Sequence, residues 1–307
     1  MIELSRLGLG TSSGFERSAH EENALRAAST HRTQASAATA SALTHHDLPV
    51  WLISLPRAVQ RRKKMDAQLD RLPLDITVFP GVDGAANEQR LLQSVDIPAF
   101  ERNMGRKILI GGIGCYHSHL GVWQEFVASG HPVALILEDD VVFHDDFIQA
   151  LDHALSVRNH WDILKLNAIR AKLPISQGRV GPYTLTAYAG PATGTGAYLI
   201  TREAALRLLP LMLPITRATD HEINRFFRHG QRLFGLEPFP SHVDDGNESL
   251  ITGTGFADVR KFKWYRRVPN YRLRAANYFR RLFWLLRKGY LVPRHKSISA
   301  PALYPSE

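Results

Sequence analysis

The stretch Val133–Phe143 reads VALILEDDVVF, an apolar run that ends in three consecutive carboxylates. Aliphatic residues followed at once by acids are typical of a strand buried on both faces, as in the middle of a parallel sheet. Open α/β sheets bind their ligands at the carboxyl ends of such strands. If the extended conformation continues through the acids, Glu138 and Asp140 lie on one side of the chain and Asp139 on the other. The pattern therefore predicts a polar site at the end of a central strand.

These three acids are typical of a divalent-cation site. Two carboxylates directed at one point repel each other unless a cation lies between them or one of them is protonated. Mg²⁺ and Mn²⁺ prefer oxygen ligands and commonly bridge carboxylates to substrate phosphates. The residues alone also allow a second interpretation, in which Glu138 and Asp139 form a solvated loop and Asp145 caps a helix that begins at Asp146.

Composition limits the class of protein. The 307 residues, 44% of them hydrophobic, are enough for one substantial core with appendages. Cys115 is the only cysteine, which excludes an intramolecular disulfide and a cysteine-rich zinc site and fits a reducing compartment. No apolar run reaches the roughly 18 residues that span a bilayer, and the N-terminus lacks the pattern of a secretory signal. We therefore expect a cytoplasmic protein.

Charge and composition divide the chain into three parts. Residues 1–47 are predicted to form a disordered leader, because 15 of the 23 residues from Ala24 to His46 are Ala, Ser or Thr. From Val259 to Ser306 there are 13 Lys or Arg residues and no acid, so residues 259–307 form a basic tail. The rest of the chain is net negative, which argues against a nucleic-acid groove on the body, residues 48–258.

Strand and helix patterns alternate through the body. Apolar or alternating runs predict strands, and helical apolar spacing next to capping residues predicts helices. The predicted strands are Val50–Leu55, Asp75–Pro80, one within Val133–Phe143, Trp161–Leu166, Tyr183–Tyr188, Ala197–Ile200 and Leu233–Leu236. The predicted helices are Arg57–Arg71, Cys115–Ser129, Phe147–Val157, Arg202–Leu213 and one from Thr219 or Asp220 to His229. This alternation predicts an α/β fold with a mostly parallel sheet.

Basic residues follow the first predicted strand. Arg57, Arg61 and Arg62 are suited to bind phosphates through charge-assisted hydrogen bonds. Asp83, in the turn Gly81–Gly84, is suited to accept hydrogen bonds from a ribose or a base. A solvated cationic helix face and an ordinary turn aspartate are the alternative interpretations.

The run Gly111–Gly114 is superficially similar to a dinucleotide fingerprint. No strong strand leads into it and the full glycine spacing is missing, so the similarity is weak. We expect the glycines to let the chain enter the helix Cys115–Ser129. His117 and His119, in the first turns of that helix, are either structural residues or metal ligands.

Several short motifs occur together in one order between Pro49 and Ile251. They are WLISLPR at 51–57 with Arg61 and Arg62, VDG at 82–84, Gly114-Cys115 with SHL at 118–120 and Trp123, LEDDV at 137–141, Trp161-Asp162, GTGAYLI at 194–200, and Asp220-His221. This ordered set resembles glycosyltransferase family 25, which includes bacterial lipopolysaccharide and lipooligosaccharide galactosyltransferases and collagen galactosyltransferases. Ser54 departs from the family, which usually has asparagine at that position.

The resemblance implies a GT-A-type, Rossmann-like domain that binds a UDP-sugar, most often UDP-galactose, and inverts the anomeric carbon. It implies a glycan or lipid-linked oligosaccharide as the acceptor. Asp140 is the first choice of ligand for Mn²⁺ or Mg²⁺, with Glu138 and His242 as further ligands. The motif positions that would bind the donor are Ser54, Leu55, Arg57, Arg61, Asp83, Glu138 and Asp139.

An inverting transfer also needs a base that takes the proton of the acceptor hydroxyl. Asp220 is the leading candidate by motif position, and the alternative role for Asp220 is a helix N-cap. Asp244 and Asp245 are the other candidates. The glycines Gly194 and Gly196 either let the backbone approach a sugar or simply form a turn.

The tail predicts an amphipathic helix. On a helical wheel Ala275, Tyr278, Phe279, Leu282, Leu285 and Leu286 share one arc, which we call the apolar arc. Arg274, Asn277, Arg281 and Lys288 lie on the opposite, polar arc. Such a helix suits the anionic inner face of a membrane, which would make the protein a peripheral membrane protein. Because Leu273 and Trp284 interrupt the polar arc, a helix packed on its own domain is the alternative.

Two other classes of protein fit parts of the sequence. An acidic pair at a strand end also suits a Mg²⁺-binding phosphoacceptor receiver domain. That fold needs a second aspartate at a later strand end, and Trp161–Tyr188 offers only Asp162 at a strand start. A non-enzymatic binder of anionic glycolipid or nucleic acid, driven by the tail, is the third possibility.

Overall fold

The computed structural model describes residues 43–244 and 261–298. The predicted leader therefore lies outside the described residues up to position 42, and so does Asp245. Residues 43–47, placed at the end of that leader, instead belong to the fold, because His45–Asp47 form a short 3-10 helix. Both the backbone N–H of His45 and its ring nitrogen Nδ1 contact Asp152 Oδ1, at 3.1 and 2.8 Å.

Strands and helices alternate as the sequence predicts. The strands are β1 (Val50–Ser54), β2 (Ile76–Pro80), β3 (Val133–Glu138), β4 (Val141–Phe143), β5 (Ile163–Lys165), β6 (Arg170–Ala171), β7 (Pro174–Val180), β8 (Tyr183–Tyr188), β9 (Ala192–Thr193), β10 (Ala197–Thr201), β11 (Leu233–Glu237), β12 (Ser241–Val243) and β13 (Arg294–Ser297). The helices are α1 (Val59–Leu69), α2 (Glu88–Leu92), α3 (Ile97–Met104), α4 (Ile110–Ser129), α5 (Phe147–Ser156), α6 (Arg202–Leu208), α7 (Thr219–Ile223), α8 (Phe226–His229) and α9 (Val268–Arg287). Further 3-10 turns are Arg158–His160, Leu209–Leu211 and Trp264–Arg267.

The core is a nine-stranded sheet in the order β13-β7-β8-β11-β5-β10-β3-β1-β2. β1 lies between β2 and β3 and is parallel to both. β10 is antiparallel to β3 and β5, and β8 is antiparallel to β11 and β7. Since β5 is parallel to β11 and β7 to β13, every strand of this sheet except β8 and β10 runs in one direction. The predicted α/β class with a mostly parallel sheet is confirmed and is consistent with a Rossmann-like fold, and the GT-A assignment stays a prediction.

The acidic strand lies in the middle of this sheet, and its aliphatic residues are fully buried, as predicted. The extended conformation stops at Glu138, however, and Asp139 and Asp140 form a turn. β4 then leaves the sheet and pairs with β12. The prediction that Asp139 lies opposite Glu138 and Asp140 is therefore wrong, because it assumed that the strand continues through the acids.

Helix α4 packs on the sheet through a fully buried face that includes Tyr116 and Trp123. It begins at Ile110, five residues before the predicted start, so the glycines of the run Gly111–Gly114 lie inside its first turns. A Cβ on Gly114 would lie 2.4 Å from the carbonyl oxygen of Val82, and one on Gly84 2.3 Å from that of Ile110. The glycines thus allow the helix backbone to touch the turn after β2.

Helix α9, from the basic tail, packs on the body against α3 and α8. Its buried residues are Asn270, Arg281 and Leu285, so the buried surface includes Arg281 of the polar arc and Leu285 of the apolar arc. Phe279, at 74% exposure, and Leu286 belong to the outward surface. β13 then joins the edge of the sheet beside β7. No helix among the described residues is long and apolar enough to cross a membrane.

Candidate active site

A cavity of about 1030 Å³ opens at the carboxyl ends of β1, β2 and β3. Its wall combines the turn after β2, the start of α4, the acids after β3, the loop before β10, and the helices α7 and α9. Most of the predicted site residues line it, namely Leu55, Arg57, Arg61, Asp83, Glu138, Asp139, Asp140, Asp220 and Asp244. Ser54 lies behind the wall, and His242 does not line the cavity.

Arg61 holds the two aspartates of the acidic turn. One guanidinium nitrogen lies 3.2 Å from Asp139 Oδ1 and the other lies 2.6 Å from Asp140 Oδ2. Behind them, the Ser54 hydroxyl donates to Asp139 Oδ2 over 2.7 Å. The serine side chain is short enough to make this bond from β1. Ser54 therefore contacts the acidic turn although it does not line the cavity. Arg61, one turn into α1, therefore neutralises the acids from within the chain.

The three acids differ in protonation because their surroundings differ. Burial and the neighbouring charge of Glu138 raise the pKa of Asp140 to about 7, against the lowering effect of Arg61. Burial also raises the pKa of Asp139, although Arg61 and Ser54 oppose it. Burial also acts to raise the pKa of Glu138, but the hydrogen bonds from His119 and Thr195 prevail and lower this pKa. Glu138 is thus the carboxylate that this site keeps charged most firmly.

A buried chain of hydrogen bonds orients Glu138. Its Oε1 lies 3.0 Å from His119 Nε2, and the Thr195 hydroxyl donates to the same oxygen. The other ring nitrogen of His119 lies 2.9 Å from the Tyr198 hydroxyl, which also accepts a hydrogen bond from Trp123 Nε1 at 2.8 Å. The sequence allowed either a structural role or a metal-ligand role for His119. The geometry shows that His119 positions Glu138.

Cys115, His119 and Glu138 are also close enough to share a metal ion, with ligand atoms within 4.8 Å of one another. Both nitrogens of His119 are already hydrogen-bonded, and burial raises the pKa of the Cys115 thiol well above its usual range. Because a metal binds the thiolate and a free imidazole nitrogen, these groups are better described as the packed support of Glu138.

Arg57 and Asp83 meet at the opposite wall of the cavity. Arg57 Nε lies 2.5 Å from Asp83 Oδ2, and Asp83 Oδ1 accepts from the backbone N–H of Ala85 at 3.0 Å. Burial acts to raise the pKa of Asp83, but the bonds from Arg57 and from the turn prevail and lower it. Asp83 is therefore both a turn residue and a charged group in the cavity, which joins the two interpretations that the sequence left open.

Asp220 lies in the first turn of α7 beside the glycine loop that precedes β10. Its Oδ2 accepts from the backbone N–H of Gly194 at 3.2 Å and its Oδ1 from that of His221 at 2.8 Å. The N-cap of α7 is Ala218, so Asp220 does not cap the helix. Gly194 has a φ of 100°, a conformation that glycine adopts without strain. The backbone N–H groups of Gly194 and His221 thus hold the carboxylate of Asp220 in place.

Lys165 is a residue of this region that the sequence did not single out. It ends β5, its side chain is 3% exposed, and its ammonium donates to the carbonyl oxygen of Gly194. Burial lowers the pKa of Lys165 to about 8, although the charges of Asp220 and Glu138 oppose this. In the sequence, the only sign of this residue is a lysine within an apolar strand pattern. That pattern does not show whether the lysine is exposed at the end of the strand or buried.

Of the remaining candidates, Asp244 lines the cavity, and His242 and Asp162 do not. His242 lies on β12 with its Nδ1 2.9 Å from His144 Nε2, away from the cavity wall. Asp244 donates its backbone N–H to the carbonyl oxygen of Asp140 at 2.8 Å, and its carboxylate lies 3.8 Å from Lys64. Asp162 lies just before β5 and pairs with Arg232, so it is not the second strand-end acid that a receiver domain needs.

The donor set fits a divalent cation. Oδ1 of Asp140 is buried and has no hydrogen-bond partner among the described residues. Glu138 and Asp139 are close enough for their charges to act on Asp140, and carboxylate oxygens are the ligands that Mg²⁺ and Mn²⁺ prefer. A free oxygen in a cluster of acids is therefore the feature that a metal ion would use.

Known proteins are similar to this chain over the part that carries most of the cavity wall. A family model described as glycosyltransferase family 25 (LPS biosynthesis protein) matches residues 47–223. A glycosyltransferase 25 family member of Aedes aegypti is 33% identical over 168 residues, 52% of this chain and 27% of that protein. Procollagen galactosyltransferase 1 of Danio rerio is 26% identical over 235 residues, 68% of this chain and 39% of that protein.

Another relative, from Homo sapiens, is named inactive glycosyltransferase 25 family member 3 and is 30% identical over 179 residues, 54% of this chain and 30% of that protein. The chain thus spans less than half the length of these relatives. The family model covers more than half of the chain and includes every part of the cavity wall from β1 to α7. The chain therefore belongs to glycosyltransferase family 25.

Proposed function

We propose that this chain transfers a hexose, with galactose as the first choice, from a UDP-sugar to a hydroxyl group of a glycan acceptor, with inversion at the anomeric carbon. The observation that carries the proposal is the pairing, in one cavity, of a buried acidic turn after β3 with the carboxylate of Asp220. A relative named procollagen galactosyltransferase 1 supports it. Others are named inactive, so the activity of this chain needs its own test.

The acidic turn is suited to the diphosphate end of the donor. Asp140, with Asp139 or Glu138, would hold Mn²⁺ or Mg²⁺, which as a Lewis acid neutralises charge on the departing nucleoside diphosphate. Arg57 and Arg61 both line the cavity and suit the phosphate oxygens. Asp83 suits the hydroxyl groups of the ribose. His119 and Thr195 keep Glu138 oriented and charged throughout.

Asp220 is suited to act as the base. In an inverting transfer the acceptor oxygen bonds to the anomeric carbon from one face while the bond to the diphosphate breaks on the other. The carboxylate of Asp220 takes the proton from that acceptor hydroxyl. The backbone N–H groups of Gly194 and His221 hold both carboxylate oxygens in place, which fixes the direction of proton transfer.

A panel of UDP- and GDP-sugars, incubated with the full chain with and without Mn²⁺, tests this proposal. We expect metal-dependent release of the nucleotide from one UDP-sugar. Asp140→Asn is expected to lower the rate by at least 100-fold and to weaken metal binding, whereas Asp220→Asn is expected to lower turnover but retain UDP binding. Asp70→Asn, an exposed carboxylate at the end of α1, is the matched control. Full metal-dependent turnover in Asp140→Asn would refute the metal assignment.

We also propose that the outward surface of α9 rests on an anionic membrane. Phe279 is 74% exposed, Phe283 66% and Leu286 64%, and no acid occurs in this helix. The exposed cations Arg272 and Arg287 flank these residues, so the surface is complementary to anionic lipid. This position would bring the cavity to a lipid-linked acceptor on the inner face of the membrane.

Sedimentation with vesicles of phosphatidylcholine, with or without phosphatidylserine, tests this surface. We expect the full chain to sediment with the anionic vesicles and the double variant Phe279→Glu, Phe283→Glu to stay in the supernatant. Leu211→Glu, on a 3-10 turn elsewhere and 52% exposed, is the matched control. Equal sedimentation of the double variant and the control would refute the membrane surface.

A further inference from the structure

Helix α9 and the 3-10 turn that precedes it place a row of arginines along the cavity. Arg267, Arg274 and Arg281 recur at intervals of seven residues, two helical turns, and all three line the cavity. Seven residues of α-helix rise about 10 Å, so the row follows the cavity wall for about 20 Å. We call these three residues the arginine row. None of them forms an ion pair with a carboxylate of the described residues.

Arg281 is the buried end of this row. Its side chain is 5% exposed, and one terminal nitrogen donates to the carbonyl oxygen of Asn224 at 2.9 Å. The rings of Phe226, Phe227 and Tyr278 surround its guanidinium at 5.5 to 5.8 Å. Its Nε is buried and has no hydrogen-bond partner in the described part of the chain. Burial lowers the pKa of Arg281 to about 10, which measures how unfavourable this environment is for an uncompensated charge.

A buried cation without a carboxylate costs stability unless something pairs with it. Proteins retain such groups mainly where a ligand completes them, since an arginine fork matches carboxylates and phosphates. Arg267 repeats the pattern, because its Nε is also buried without a partner. Because these two donors lie about 20 Å apart along the wall, each is a separate position for an anion, and Arg281 is the more deeply buried of the two.

The anion is not the diphosphate of the donor in this arrangement. The donor candidates Arg57, Arg61 and Asp83 lie in the loop after β1, in α1 and in the turn after β2. Arg281 instead donates to the carbonyl oxygen of Asn224, whose side-chain amide donates to the carbonyl oxygen of Asp220 at 2.8 Å. Arg281 therefore lies on the side of Asp220, where the acceptor hydroxyl must come.

We propose that the arginine row binds an acidic group, a phosphate or a carboxylate, carried by the sugar acceptor. The inference rests on the proposed function, since it names the class of acceptor for the same cavity. The guanidinium of Arg281 pairs with the acidic group and so orients the acceptor hydroxyl toward Asp220. Neutral glycans would leave the cation uncompensated and are expected to be poorer acceptors.

Competition binding measured by saturation-transfer NMR on the full chain tests this. The probes are glucose 6-phosphate, glucuronic acid, neutral glucose, inorganic phosphate, and UDP with Mg²⁺. We expect both acidic sugars to bind at least tenfold more tightly than glucose and than inorganic phosphate. Arg281→Gln and Arg274→Gln are expected to reduce this preference, to less than twofold in Arg281→Gln, while UDP binding stays within twofold of the unmodified chain. Arg274 is exposed, so its variant leaves the packing of α9 intact.

Arg280→Gln removes the same charge from the adjacent, exposed position and is the matched control, expected to keep the preference. The inference would be overturned if both arginine-row variants kept the preference for acidic sugars, or if the unmodified chain showed no such preference. In either case, continued binding of UDP would leave the proposed function intact. A parallel loss of UDP binding in Arg281→Gln would assign the arginine to the donor diphosphate instead. Inorganic phosphate that bound as tightly as glucose 6-phosphate would also overturn it. Absence of UDP binding in the unmodified chain would refute the proposed function itself.

Discussion

Glu222 offers a direct test of how α7 is held at the cavity. Its carboxylate, 7% exposed, lies 2.9 Å from Arg217, 3.0 Å from Arg225 and 3.0 Å from the ring of His229. Burial acts to raise its pKa, but the hydrogen bond of His229 and the two guanidinium groups prevail and lower the pKa from 4.5 to about 2. Because Glu222 and Asp220 share one short helix, this cluster also fixes the position of Asp220.

The lowered pKa converts into a free energy of unfolding. Each pKa unit corresponds to about 1.4 kcal/mol, so ionised Glu222 stabilises the fold by about 3 kcal/mol at neutral pH. A carboxyl group whose folded pKa is lowered contributes above its unfolded pKa and loses that contribution as the pH falls through the folded value. The contribution is therefore complete above about pH 5 and falls to about 1 kcal/mol near pH 3.

We expect Glu222→Gln to lower the free energy of unfolding by about 3 kcal/mol at pH 7, and more if Arg217 and Arg225 are left buried without a charge partner. Urea unfolding followed by circular dichroism, at several pH values from 7 to 3, measures the difference from the unmodified chain. That difference should shrink by about 2 kcal/mol toward pH 3. Glu203→Gln, an exposed glutamate in the first turn of α6, is the control and should change stability by less than about 0.5 kcal/mol. A pH-independent difference for Glu222→Gln would refute the electrostatic explanation.

Three further substitutions test other contacts. Ser54→Ala removes a hydrogen bond to buried Asp139 and should cost about 1–3 kcal/mol in urea unfolding, whereas no change would mean that water replaces the hydroxyl. His119→Phe removes the partner of Glu138 and should weaken metal affinity or turnover by about 10- to 100-fold, measured by Mn²⁺ titration, while the helix content stays constant. Gly114→Ala places a Cβ 2.4 Å from the carbonyl oxygen of Val82 and should cost about 1–3 kcal/mol in thermal unfolding, and a neutral result would show that α4 can move away from the turn.

The sequence predicts the elements of the sheet well because their patterns are local. The apolar run of β3 and the alternation of Tyr183–Tyr188 need no knowledge of distant residues, and both strands form where predicted. The acids after β3 were equally visible, but their directions were not. A turn at Asp139 and Asp140 depends on β4 leaving the sheet to pair with β12, about 100 residues later in the chain.

The contacts that define the site are non-local, and for that reason the sequence could not supply them. His119 is one of two histidines near the start of α4, and only the fold shows that its ring reaches Glu138 on β3 and Tyr198 on β10. Lys165 is hidden in the same way, since a basic residue at the end of a short apolar strand gives no sign that Gly194 lies against it.

Helix α9 shows most clearly what a helical wheel leaves open. The wheel separates an apolar arc from a polar arc, but it does not say which arc meets the body, and burial of the apolar arc is the usual outcome. Here Arg281 of the polar arc is buried, while Phe279 and Leu286 of the apolar arc remain exposed. An arrangement that exposes aromatic rings and buries a guanidinium is unfavourable for an isolated chain in water. It becomes favourable if lipid covers the rings and an anion meets the arginine, so both proposed contacts of α9 follow from the same orientation.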